Sequence, residues 1–101
     1  MKKLKAVFHE SANAGDLEET WLYTFQTWSL EQADRYHDLI YKEIDFLATK
    51  PKSGKDVNHI PKGYRSSKVK SPVIFYKYIS SEIEIIRILH EHMDITNRLN
   101  D

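Results

Sequence analysis

Between Val73 and His90 the sequence reads Val-Ile-Phe-Tyr-Lys-Tyr-Ile, then Ser80-Ser81, then Glu-Ile-Glu-Ile-Ile-Arg-Ile-Leu-His. No other stretch is as apolar or as rich in β-branched residues. Two runs of strand length meeting at a small polar pair predict a β-hairpin. The second run is apolar at both alternating sets of positions, so it predicts a central strand. Arg87 interrupts it. With a period of two, Arg87 shares a face with Ile83, Ile85 and Leu89, while Ile86, Ile88 and His90 point the other way. An arginine in a central strand requires a carboxylate, backbone carbonyls or an anionic partner. An internal ion pair and an anion contact on an open sheet face both meet that requirement.

The rest of the chain must cover this hairpin. At 101 residues it fits one domain, 1–101. Hydrophobic residues make up 41% and charged residues 30%, a composition that folds rather than stays disordered. The absence of cysteine excludes disulfides, thiol nucleophiles and cysteine-ligated zinc. The basic start, residues 1–10, lacks the apolar run of a signal peptide, and no segment approaches the ~20 apolar residues of a membrane span. A cytoplasmic chain with no membrane partner is expected. Net charge is zero but unevenly spread. Residues 1–8 carry +3, 9–49 carry −7, 50–78 carry +7 and 79–101 carry −3. Such a chain can present a dipolar surface.

Residues 3–8 alternate loosely and predict a first strand. Ser11 is a candidate N-cap, followed by Asp16, Glu18 and Glu19 near the positive end of a helix. Ala14, Leu17, Trp21, Phe25 and Trp28 recur at helical spacing and predict its buried stripe. Gly15 marks either a later helix start or a close approach. Ser29 and Gln32 form an S-x-x-Q capping box, so a second helix follows almost at once. Its stripe is Ala33, Tyr36, Ile40, Ile44 and Leu47. Its solvent face holds Glu31, Asp34, Arg35, Asp38, Lys42 and Asp45. Pro51 ends it. Residues 50–63 then form a breaker-rich connection, 63–70 a short strand and Ser71-Pro72 a turn. Tyr64, Ser66 and Lys68 fall on one side of that strand, and Arg65, Ser67 and Val69 on the other. Asp94 is a candidate cap for a last turn over 95–99. The order β-αα-βββ(-α) predicts an α+β fold, a helix hairpin on one face of a small, mainly antiparallel sheet whose other face is open.

Few residues suggest chemistry. His90 and His92 sit two apart, where a strand places both imidazoles on one face. They suit proton transfer near neutrality or simply the polar end of a strand. No third ligand stands at metal-binding spacing, so no metal is expected. Arg65, Lys68 and Lys70, with Tyr64 and Tyr76, form a basic set with aromatics, suited to phosphates or to guarding a sheet edge. No phosphate-binding, nucleophile-elbow or dinucleotide motif occurs, and no cofactor is expected.

An ordered set of short motifs carries a family resemblance. It comprises Asp16-Leu17 with Trp21 and Tyr23, Gln32-Ala33-Asp34-Arg35-Tyr36, Leu47-Ala48 with Lys50-Pro51 and Gly54, and Gly63-Tyr64-Arg65. It continues through Val73-Ile74-Phe75-Tyr76 to Ile85-Ile86-Arg87-Ile88-Leu89-His90 and Met93-Asp94. Together they resemble the ParE toxins of the RelE/ParE superfamily, over nearly the whole chain.

The resemblance implies a toxin of a bacterial type II toxin–antitoxin system that poisons DNA gyrase, halts replication and growth, and stabilises plasmids. It implies a ParD-like antitoxin whose C-terminal segment wraps the toxin, and no sequence-specific DNA binding by this chain alone. Candidate contacts for target and antitoxin are Arg65, Lys68, Lys70, Arg87, His90, His92, Met93 and Asp94, with no catalytic residue. The RelE-like branch, which cuts mRNA on the ribosome, is the alternative. It would use His90, His92, Arg65 and Lys68. That branch typically has an arginine where Pro72 stands and a basic or tyrosine-bearing tail where His92-Met93-Asp94 stands. ParE-like chains often have histidine at the position of Pro72. A further alternative is an inactive relative that only binds antitoxin.

Overall fold

The computed structural model describes residues 3–9, 11–56, 64–70 and 72–90. Strand β1 (Lys5–Phe8) leads into a π-helical turn (Ser11–Asp16), then α1 (Leu17–Thr27) and α2 (Leu30–Thr49). A 3₁₀ turn (Pro51–Ser53) and the two-residue β2 (Lys55–Asp56) follow, then β3 (Arg65–Lys68), β4 (Pro72–Tyr78) and β5 (Glu82–His90). The five strands lie in the order β1-β5-β4-β3-β2. All pairs are antiparallel except β1 with β5. The fold is thus the α+β arrangement expected, with one strand more: β2 sits inside the stretch read as a loop. The 95–99 turn and its cap Asp94 fall outside the described residues.

The β4–β5 hairpin closes where expected, with Ile79 N–H donating to the Glu82 carbonyl across Ser80-Ser81 (2.9 Å). α2 also follows its sequence. The Ser29 hydroxyl accepts from Gln32 N–H at 3.1 Å. Ala33, Ile40, Ile44 and Leu47 are buried, and Pro51 opens the next turn. Ile40, Ile44, Leu47 and Ala48 pack on Ile74, Tyr76, Ile83, Ile85 and Ile88 of the hairpin. Burying each such aliphatic side chain contributes roughly 1.5–3 kcal/mol before entropy.

α1 departs from expectation twice. Ser11 does not cap it. The helix starts at Leu17, and the Asp16 carboxylate at its N-terminus makes no capping bond. Its buried side is Leu17, Thr20 and Thr24, whereas Phe25 (45% exposed) and Trp28 (67% exposed) face solvent. Beyond Leu17, the buried side of α1 thus carries threonines in place of the aromatic residues. The Thr24 hydroxyl is satisfied within the helix by the Thr20 carbonyl at 3.0 Å.

Arg87 also lies on the face opposite to the one read from alternation. β4 and β5 pair Ile74 with Ile88 and Phe75 with Arg87, but Tyr76 with Ile85. Ile86 is the extra residue of a β-bulge, which resets the alternation. Ile88 therefore joins Ile83 and Ile85 in the core, and Arg87 turns outward beside Phe75. This outer face is not wholly open: Phe75 and Leu89 are both buried.

Candidate functional site on the outer sheet face

The register lays out the outer face in rows. Lys68, Val73 and Leu89 form one row and Ser66, Phe75 and Arg87 the next. Lys77 pairs with Glu84 in a third, where the Lys77 ammonium sits 4.7 Å from the Tyr64 ring centroid. Cations thus alternate with aromatic and apolar side chains, as expected of a surface that receives a polypeptide or a phosphate-bearing partner.

Arg87 is held rather than offered. Its Nε donates to Asp16 Oδ2 at 2.7 Å and its Nη2 to Asp16 Oδ1 at 3.0 Å. Asp16 Oδ2 also accepts the Ile88 backbone N–H at 2.9 Å. The geometry follows from strand lengths. β1 pairs with β5 only as far as Ile85, where the Ile85 carbonyl accepts His9 N–H. Among the described residues β1 pairs with β5 no further, and the turn before α1 brings Asp16 in to take the Ile88 N–H. The carboxylate is buried, so a bidentate arginine is the partner it requires.

The basic set named from sequence does not converge. Arg65 points to the helix side, where its Nη1 donates to the Gly54 carbonyl at 2.8 Å and lies 3.5 Å from that of Lys52. Its guanidinium also lies 5.8 Å from the Tyr78 ring centroid. Lys68 is exposed on the outer face. Lys70 stands in the β3–β4 turn with φ 61°, a left-handed conformation rare outside glycine. Tyr76 is buried, so it offers no stacking surface. His90 ends β5 opposite Pro72. His92, Met93 and Asp94 lie outside the described residues. Among the described residues no cluster of three or more His, Cys, Asp or Glu could hold a metal, and no helix is long and apolar enough to cross a membrane.

Sequence reasoning missed a latch behind the site. The Tyr76 hydroxyl donates to the Pro51 carbonyl at 2.8 Å and accepts Gly54 N–H at 3.0 Å. A Cβ on Gly54 would collide with that hydroxyl, so glycine is required there. Burial pushes the Tyr76 pKa above its ordinary 10.0, against the opposing pull of the Gly54 bond and of Arg65. The Lys50-Pro51 and Gly54 motif was visible. Its partner Tyr76, twenty-two residues on, was not.

A helix hairpin laid on one face of a five-stranded, mostly antiparallel sheet is the fold of the RelE/ParE toxins. A solved structure, the chromosomal ParDE TA system from P. aeruginosa, shares this fold at a TM-score of 0.71. It is 18% identical, and the match covers 87% of this chain and 96% of that one. The sequence carries the assignment further. Residues 6–95 match the family described as ParE toxin of type II toxin-antitoxin system, parDE. Toxin ParE1 of Mycobacterium tuberculosis is 33% identical over 84 residues, 82% of this chain and 86% of that protein. Toxin ParE1 of Caulobacter vibrioides is 35% identical over 79 residues, 78% of this chain and 81% of that protein. The chain belongs to the ParE toxin family of type II toxin–antitoxin systems.

Proposed function

We propose that the 101 residues form a single toxin domain that arrests growth in the cytoplasm by binding DNA gyrase. A ParD-like antitoxin, whose C-terminal segment wraps the toxin, neutralises it. Family membership over residues 6–95 supports the toxin reading, and the solved relative, a ParDE system, supports a ParD-like partner. One observation favours binding over bond cleavage. Cutting RNA requires a base, an acid and cations around one phosphate. Arg65 and Lys68, the cations that a nuclease would use, lie on opposite faces of the sheet. The gyrase-facing and antitoxin-facing residues are Lys68, Lys70, His90, His92, Met93 and Asp94. Arg65 and Arg87 hold the surface from behind and from its edge.

Induced expression tests this. Growth arrest with replication halted and transcripts intact, relieved by co-expressing the cognate ParD-like antitoxin, is the expected outcome. Transcript cleavage that disappears in a His90→Ala, His92→Ala variant would establish the ribonuclease activity instead. Normal growth on induction would mark a chain that only binds antitoxin.

A further inference from the structure

The outer sheet face is not uniform in charge. Lys55 pairs with Ser66, so it joins the row of Ser66, Phe75 and Arg87 on the side away from the helices. With Lys68 and Lys77 it gives the outer face of β2, β3 and β4 three lysines, and no carboxylate among the described residues. Asp56, the one acid in these three strands, pairs with Arg65 and so faces the helix side. Glu84 stands on β5, opposite Lys77 on one side and 3.9 Å from His9 on the other. The positive half of the face is therefore the half toward β2.

The make-up of this half states what it can bind. A polypeptide partner is held by large apolar anchors in desolvated hollows. This half offers none. Phe75 is buried, and among the described residues the exposed large apolar side chains belong to the helix hairpin, except Ile79 at the β4–β5 turn. Instead it offers ammonium groups and the Ser66 hydroxyl on a stiff sheet, the polar and positive composition of a nucleic-acid interface. The spacing also suits phosphates. Neighbouring strands lie about 4.8 Å apart and alternate residues of one strand about 6.8 Å apart, so Lys55 and Lys68 are ~8 Å apart at Cα. Each strand of a DNA duplex presents one charge per roughly 3.4 Å of axis, so this pair reaches phosphates about two or three apart. The helices, with seven carboxylates and two basic side chains over residues 17–49, repel the same partner and fix which side meets it.

We infer that the β2–β4 half of the outer face binds the phosphodiester backbone of a nucleic acid, without reading its sequence, through Lys55, Lys68 and Lys77. It uses the face already proposed to meet the target, but its test contains no gyrase, so either reading can fail without the other.

A short labelled DNA duplex and a labelled single-stranded RNA, each titrated with the purified chain and followed by fluorescence anisotropy over a range of salt, test it. For three phosphate contacts, log affinity on the duplex should fall against log salt with a slope of about −2.7. Each of Lys55→Gln, Lys68→Gln and Lys77→Gln should reduce that slope by about 0.9 and weaken binding equally on duplexes of unrelated sequence. Lys42→Gln, exposed on α2, should leave both unchanged. The two probes show which nucleic acid supplies the phosphates, and binding with this lysine dependence on either supports the inference. Far-UV circular dichroism verifies that the variants fold. Absence of salt-dependent binding, an unchanged slope when all three sheet lysines are replaced, or an equal loss in Lys42→Gln would overturn it.

Discussion

Arg87 and Asp16 are separated by seventy-one residues and tie the turn before α1 to the end of β5. Removing one partner of a buried pair leaves the other charge uncompensated in a dry place, and here it also strips the Ile88 N–H of its acceptor. Asp16→Ala should lower unfolding free energy by about 3–5 kcal/mol, read as a lower denaturant midpoint at unchanged slope. The Tyr76 latch is milder. Tyr76→Phe deletes a buried donor and acceptor and should cost about 1–3 kcal/mol. The folded chain holds the Tyr76 proton to higher pH than the unfolded chain does. Its contribution is therefore fully present below about pH 10 and is lost as pH rises through the raised folded value. Denaturant midpoints across alkaline pH should fall more steeply in the parent chain than in Tyr76→Phe. Neither contact could be read from the sequence. Arg87 was recognisable as a residue in need of a partner, but nothing local pointed to Asp16. The bulge at Ile86 leaves no trace in a run of isoleucines.

At the scale of elements, α2 and the β4–β5 hairpin were legible because local signals and burial agree. The Ser29 cap, the apolar stripe and Pro51 all place the same helix, and Ser80-Ser81 places the turn. α1 was legible as a helix but not in its orientation. Its aromatic residues advertise a core stripe, while its buried side is Leu17, Thr20 and Thr24. Hydrophobicity alone misleads where the buried side of a helix carries threonines and its aromatic residues face solvent. β2, two residues long, is too short for any periodic signal. The consequence is measurable. Leu17→Ala should cost about 2–5 kcal/mol, whereas Phe25→Ser should stay within about 0.5 kcal/mol. Thermal or chemical unfolding of the two variants side by side separates a core residue from a surface one.

Across the whole molecule, the acidic groups concentrate on the helices and the basic ones on the segment from Lys50 to Lys77. The helices cover one sheet face, and Lys68 and Lys77 lie on the other. A target that carries negative charge is steered to the sheet side, with a dependence on salt. Charge reversal by Lys68→Glu with Lys70→Glu should weaken target inhibition by about tenfold or more while leaving thermal stability nearly unchanged. The order of strand-like and helix-like stretches along the chain made the fold readable. The target was not, because neither the basic set Arg65, Lys68 and Lys70 nor the His90 and His92 pair forms a motif that specifies one. The most direct measurement is a supercoiling assay with purified gyrase and this chain. Loss of supercoiling with accumulation of cleaved, gyrase-bound DNA, reversed by a ParD-like antitoxin, is the predicted result. Undiminished supercoiling at saturating toxin, with no trapped cleavage complex, would contradict it.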